Sequence, residues 1–149
     1  MSNQKQLFQK LSYLQYPFML AGLAYCYKPF LSGLTNIWTD YNMGLVFFGI
    51  GISFSTLQDT TKTQNNFSKR IYENPRKSKR FLTAIFIMVI LFCVLGMWGL
   101  FLTDGSPLKD LSFGLISVGI GMIGMLKAAG EMAEYHRNKM EVGNSINKE

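Results

Sequence analysis

Residues 81 to 102 read FLTAIFIMVILFCVLGMWGLFL, 22 positions without one charged side chain. As an α-helix rising about 1.5 Å per residue, this run spans roughly 30 Å of hydrocarbon. The rest of the chain shares its bias. Of 149 residues 48% are hydrophobic and only 16% are charged, against about 25% charged in an average soluble domain. An ordinary cytosolic protein is excluded on that balance, and an all-α membrane protein is the expected class. At about 20 residues per crossing, the length allows a single membrane domain and no sizeable soluble one.

Working outward from that stretch, four apolar segments can be placed, near 17 to 38, 42 to 58, 81 to 103 and 110 to 129. Their connections alternate in length. Thr39 to Tyr41 and Asp104 to Lys109 are short, whereas 59 to 80 is long, so the reading is two tight hairpins, at 17 to 58 and 81 to 129, joined by a loop and followed by a tail at 130 to 149. The second segment becomes polar at Ser53, Ser55, Thr56 and Gln58, as a helix leaving the bilayer would. Residues 3 to 16 place Leu7, Leu11, Leu14 and Phe18 on one helical face, the pattern of an interfacial helix leading into the first span. The segment Leu23-Ala24-Tyr25-Cys26 puts tyrosine where a lipoprotein cleavage site needs a small residue, so a retained first helix is expected.

Charge orients the hairpins. Of the 15 Lys and Arg, Lys28 falls inside the first span and Lys109 in the second short turn; the other 13 lie in the N-terminal stretch, the long loop and the tail counted from Lys127. The positive-inside rule then puts both termini and the long loop in the cytoplasm of a bacterial inner membrane. Bases beside apolar spans report topology, so the net charge of +6 gives no reason to invoke nucleic acid. The sequon Asn66-Phe67-Ser68 faces the same side and carries no weight.

A shift of 70 positions lays Asp40, Gly44, Leu45, Gly49, Ile50 and Gly51 on Asp110, Gly114, Leu115, Gly119, Ile120 and Gly121, six identities in twelve. Duplicated in-out-in hairpins are necessarily parallel, related by an axis along the membrane normal. The order Gly33-Leu34-Thr35-Asn36, short turn, Met43-Gly44-Leu45, glycine-rich span and Leu57-Gln58-Asp59, with a second copy from Gly96-Met97-Trp98-Gly99-Leu100, resembles the YiaA/YiaB two-helix-domain family of bacterial inner-membrane proteins over roughly residues 17 to 130. The second copy departs at Thr103-Asp104-Gly105-Ser106-Pro107 and at Lys127-Ala128-Ala129. The resemblance implies four spans and an inner-membrane location, and no activity.

Three residue sets are candidates for function. Gly114, Ser117, Gly121, Gly124 and Ala128 form a small-residue stripe on the fourth span, with Gly44 and a shorter stripe of Gly49, Ser53 and Thr56 on the second; such faces let helix backbones approach closely, within the chain or between copies. Lys28, with Tyr25 and Tyr27 beside the Pro29 break, is a candidate intramembrane polar site. It sits midway along its span with no acid at matching depth, so it either reaches backbone carbonyls freed by the proline or holds an anion or lipid headgroup. Arg76, Lys77, Lys79 and Arg80, just before the third span, are topogenic and could also hold anionic lipid headgroups.

Other chemistry is not expected. Cys26 and Cys93 read as small core residues rather than a redox or metal pair. Met132, His136 and Met140 share a helical face but make a poor ligand set without cysteine, and no haem-ligating histidine lies in a span. There is no membrane-depth carboxylate pair, nucleophile with histidine, P-loop or H-E-x-x-H. No cofactor and no catalysis are expected. The expectation is a non-catalytic protein acting through helix packing with copies of itself, membrane-protein partners or lipid; the alternative is a small oligomeric channel or transporter with anion selectivity from Lys28.

Overall fold

The computed structural model describes residues 2–34, 36–57, 71, 74–102 and 104–146, with side chains between residues 6 and 138 of these. Asp59, Lys62, Lys69, Arg70 and the Asn66 sequon, all read above as part of the long loop, lie outside the described residues. The described structure is all-helical: α1 (Ser2–Ser12), α2 (Gln15–Leu31), α3 (Ile37–Ser55), α4 (Pro75–Leu100) and α5 (Pro107–Ile146).

Two of these are long and apolar enough to cross a membrane, Pro75–Leu100 with 26 residues and Pro107–Asn138 with 32. Helices α2 and α3 have 17 and 19 residues. Helix α5 runs unbroken for 40 residues, about 60 Å, so the boundary expected near 129 between span and tail does not interrupt it.

The helix ends follow from local chemistry. Asn74 caps α4 by accepting the Arg76 amide proton at 3.1 Å, and Pro75 occupies the first turn, where its missing N–H costs nothing. Helix α2 stops earlier than expected. The Ser32 N–H bonds the Lys28 carbonyl and the Leu34 N–H bonds the Pro29 carbonyl at 3.0 Å, around Gly33 at φ +78°. This is a glycine-centred Schellman close. The first hairpin turn is therefore 32 to 36, not Thr39 to Tyr41, which lie inside α3. Likewise the second turn is 101 to 106, and Lys109 belongs to α5. Replacing Gly33 by alanine is expected to lower stability by about 1 kcal/mol, the cost of a Cβ in the left-handed region, since nothing else lies within 4 Å. An unchanged melting temperature in detergent would remove the glycine close.

Packing produces a row of helices in the order α2, α3, α5, α4. Within each hairpin the helices run antiparallel: Gly22 meets Phe48 and Gly44, while Met19 meets Gly51; Gly96 meets Ile116, and Gly99 meets Leu108 and Ser112. Across the centre α3 and α5 run parallel, with Asn42 against Gly114, Val46 against Ser117, Gly49 against Gly121 and Thr56 against Gly124. The α3 residues in this seam thus meet residues about 70 further along, close to the offset of the sequence match.

The apolar core, Ile85, Val89, Val118, Met122 and Ala129, fills the α4–α5 seam. In the α2–α3 seam Phe18 stacks on Phe54 at 5.5 Å, and Tyr25 stacks on Phe47 at 5.4 Å. The Cys26 thiol covers Gly44 and the Cys93 thiol covers Gly119, one in each hairpin. Both cysteines are free and only partly buried, so the core placement expected of them is half met.

Antiparallel hairpins put both turns at one end of the row. At the other end gather α1, the start of α4 and the distal part of α5. Trp38 and Trp98 lie near the turn end; Tyr13, Tyr16 and Tyr135 lie near the opposite end, and all five are at least 40% exposed.

Candidate functional site

Because α2 ends at Leu31, Lys28 sits in its last turn and not midway along a span. Directly across the turn, Asp40 sits in the first turn of α3. The Lys28 ammonium donates to Asp40 Oδ1 at 2.7 Å, with the lysine side chain 57% exposed and the carboxylate 7%. The sequence expectation of no acid at matching depth is thereby corrected. It failed because the apolar segments were drawn past Gly33, which moved Lys28 inward and left Asp40 at a separate end.

The second expectation at this residue also changes. Pro29 is fully buried inside α2, and the ammonium is held by a carboxylate rather than by carbonyls released at the proline. The pair is favoured twice: an acid at a helix start and a base at a helix end both complement the helix dipoles. The ammonium also lies 5.6 Å from the centre of the Tyr25 ring, within cation–π range. Tyr27 takes no part. It points to another face of α2 and is 66% exposed. A shallow recess of about 350 Å³, lined by Ala24, Tyr25, Lys28 and Leu31, opens beside the pair.

Lys109 at the same end pairs with Asp104, whose carboxyl is held below the usual carboxylate range by that hydrogen bond and by the lysine charge. Both bases at the turn end therefore carry their own acid.

The small-residue stripes meet each other. A Cβ added to Gly121 would lie 2.5 Å from the Gly49 carbonyl oxygen, and one added to Gly49 would fall inside Ser117. At Gly114 it would lie 2.6 Å from Leu45 Cβ, and at Gly124 it would lie 2.9 Å from Thr56 Oγ1. Ser117 donates to the Val46 carbonyl at 3.2 Å, while Asn42 Oδ1 accepts from the Gly114 N–H at 2.7 Å. Ser53 turns back onto the Gly49 carbonyl. Gly44 faces α2 instead, against Cys26 and the Gly22 carbonyl. The contacts of these residues lie inside one chain. Asn42 was not foreseen; it bonds Gly114 across 72 positions, whereas the 70-residue offset would have set it opposite Ser112.

At the far end, Arg76, Lys77, Lys79 and Arg80 are exposed along the first two turns of α4, whose first turn holds no acid. Lys79 also lines a groove of about 510 Å³ between α4 and α5, with Pro75, Ser78, Leu82, Gly130, Ala133, Glu134 and Arg137. Arg137 was read only as part of the tail. The antiparallel register of α4 and α5 is what brings it here.

Further along α5, His136 Nδ1 lies 2.9 Å from the Met132 carbonyl. No cluster of three His, Cys, Asp or Glu occurs among the described residues. The Met140 side chain lies outside them. Lys127 and Glu131 form an exposed pair at 3.9 Å.

No family model matches this chain, and neither curated proteins nor solved structures supply a significant match.

Proposed function

We propose that the protein is a four-span, non-catalytic protein of a bacterial inner membrane, with both termini cytoplasmic, that works through its lipid-facing and partner-facing helix surfaces. The observation carrying this reading is the inversion of polarity between seams and outer faces. Inside the row the closest backbone approaches are made by glycine, serine and cysteine beside a small apolar core, whereas Phe86, Ile87, Met97 and Trp98 on α4 are all more than half exposed. Water would penalise such a surface; lipid accepts it, and close small-residue seams are how helices associate where no hydrophobic drive separates helix from solvent.

Four crossings are supported by the aromatic levels. Trp38 and Trp98 near one end and Tyr13, Tyr16 and Tyr135 near the other resemble the two interfacial belts of a membrane protein. Helices α2 and α3, at about 26 and 29 Å, approach the hydrocarbon thickness. The parallel α3–α5 pairing at an offset near 70 supports a duplicated hairpin. Helix α1, with Leu7 and Phe8 exposed, is read as the interfacial helix.

The small-residue faces are occupied within one chain, so partners or further copies would meet the larger apolar side chains outside. The channel reading loses its main support. An ammonium in the last helical turn, neutralised by Asp40, is no bare charge at the midplane.

Reporter fusions test the topology. Cytoplasmic signals are expected after residues 12, 66 and 146 and periplasmic signals at 34 and 104; a periplasmic signal at 66 would invert the whole arrangement. Purified protein in liposomes is expected to pass no chloride above protein-free controls. A flux altered by Lys28→Glu would overturn the non-transporting reading.

A further inference from the structure

The groove between α4 and α5 at the basic end combines features that the surface bases alone do not have. Lys79 stands on one wall and Arg137 on the other, and the floor is made of Gly130 and Ala133, where nothing lies within 4 Å of a Cβ placed on Gly130. Toward the apolar span the lining becomes Leu82. Among the described residues, no carboxylate pairs with Lys79 or Arg137. Glu134 is the remaining charge in the lining, so the groove carries a net +1. A second recess on the outer side of α4 shares Lys79 and descends past Arg80 and Thr83 to Ala84 and Ile87. Lys79 therefore lines both recesses.

We infer that this groove is a binding site for a monoanionic glycerophospholipid, its phosphodiester held between Lys79 and Arg137 and its acyl chains laid against Leu82 and the outer face of α4. The inference rests on the membrane placement proposed above and adds a defined site to it. A phosphodiester with one negative charge neutralises the +1 of the lining. Basic clefts between transmembrane helices on the cytoplasmic side are where such headgroups are held. The apolar continuation past Leu82 and Ile87 distinguishes a lipid from a free anion, which would have no use for it. The N-terminus of α4, whose first turn holds no acid, adds to the attraction through the helix dipole.

The test uses the full-length protein in nanodiscs, with phosphatidylglycerol titrated into phosphatidylcholine and bound lipid counted by native mass spectrometry. Wild type is expected to retain phosphatidylglycerol selectively. The double variant Lys79→Gln/Arg137→Gln should lose that preference by tenfold or more, two bases near a charged leaflet being lost. The control Lys10→Gln/Lys77→Gln removes the same charge from outside both recesses and should retain most of it. Equal loss in both doubles would mean diffuse surface attraction and would overturn the site. So would displacement of the lipid by millimolar inorganic phosphate, the mark of a free-anion site. Membrane fractionation of the same variants separates the two claims: protein that stays in the membrane without lipid preference refutes the groove alone, while protein recovered in the soluble fraction refutes the placement beneath it.

Discussion

Replacing Gly121 by leucine is expected to split the helix row along its centre. The added side chain would start 2.5 Å from the Gly49 carbonyl oxygen and 3.3 Å from Ile52 Cβ. The first obstacle is backbone, which cannot turn aside as a side chain can. Overpacking in a close seam costs about 1–3 kcal/mol and more where nothing can yield, so the upper end of that range is expected here. The measurement is the melting temperature of the purified protein in detergent, read beside Gly130→Leu, whose Cβ position is open. A fall for Gly121→Leu with no change for Gly130→Leu supports the seam. Equal melting of both would mean that α3 and α5 do not touch at this level. Native mass separates this effect from assembly: if the stripe bound a second copy instead, Gly121→Leu would yield stable monomers.

The second large effect concerns Lys28. Lys28→Met would leave Asp40, 5% exposed, with its hydrogen-bond partner gone. Leaving a buried charged acceptor unsatisfied costs roughly 1–3 kcal/mol, and the loss is expected near the lower half of that range because the start of α3 itself favours a carboxylate. Adding Asp40→Leu should then restore stability instead of lowering it further, since replacing both members of a buried pair is far cheaper than removing one. The pair of single variants and the double variant form the cycle to measure. Strict additivity would mean that the two residues do not interact.

These effects show which parts of the molecule were legible in the residues. The long uncharged run at 81 to 102, the alternation of short and long connections and the lopsided placement of bases are local or compositional signals, and they led to helical hairpins with one strongly basic end. The contacts between α3 and α5 join residues 71 and 72 positions apart at two hydrogen bonds, close to the spacing of the 70-residue match. The first turn was misplaced because hydropathy does not register a backbone reversal: Gly33 ends α2 through its positive φ, while the apolar residues around it continue. That single displacement hid the salt bridge. Once α2 stops at Leu31, Lys28 and Asp40 face each other across a short turn.

The candidate groove was half visible. The four bases at 76 to 80 stand out in sequence, but Arg137 lies 58 positions after Lys79 and joins it only through the antiparallel register of α4 on α5. The glycine stripes marked where helices could approach; whether they would meet inside one chain or between two was open, because a small-residue face is complementary to any similar face of matching pitch.

What the residues decided by themselves is the helical, apolar and charge-polarised character of the chain, since each of those properties is a sum over neighbours in sequence. What the tertiary structure alone decided is pairing: Lys28 with Asp40, Gly49 with Gly121, Lys79 with Arg137. Such partners are selected by where the helices stop and by the register in which they pack, and both depend on geometry accumulated over many residues rather than on the identity of either member.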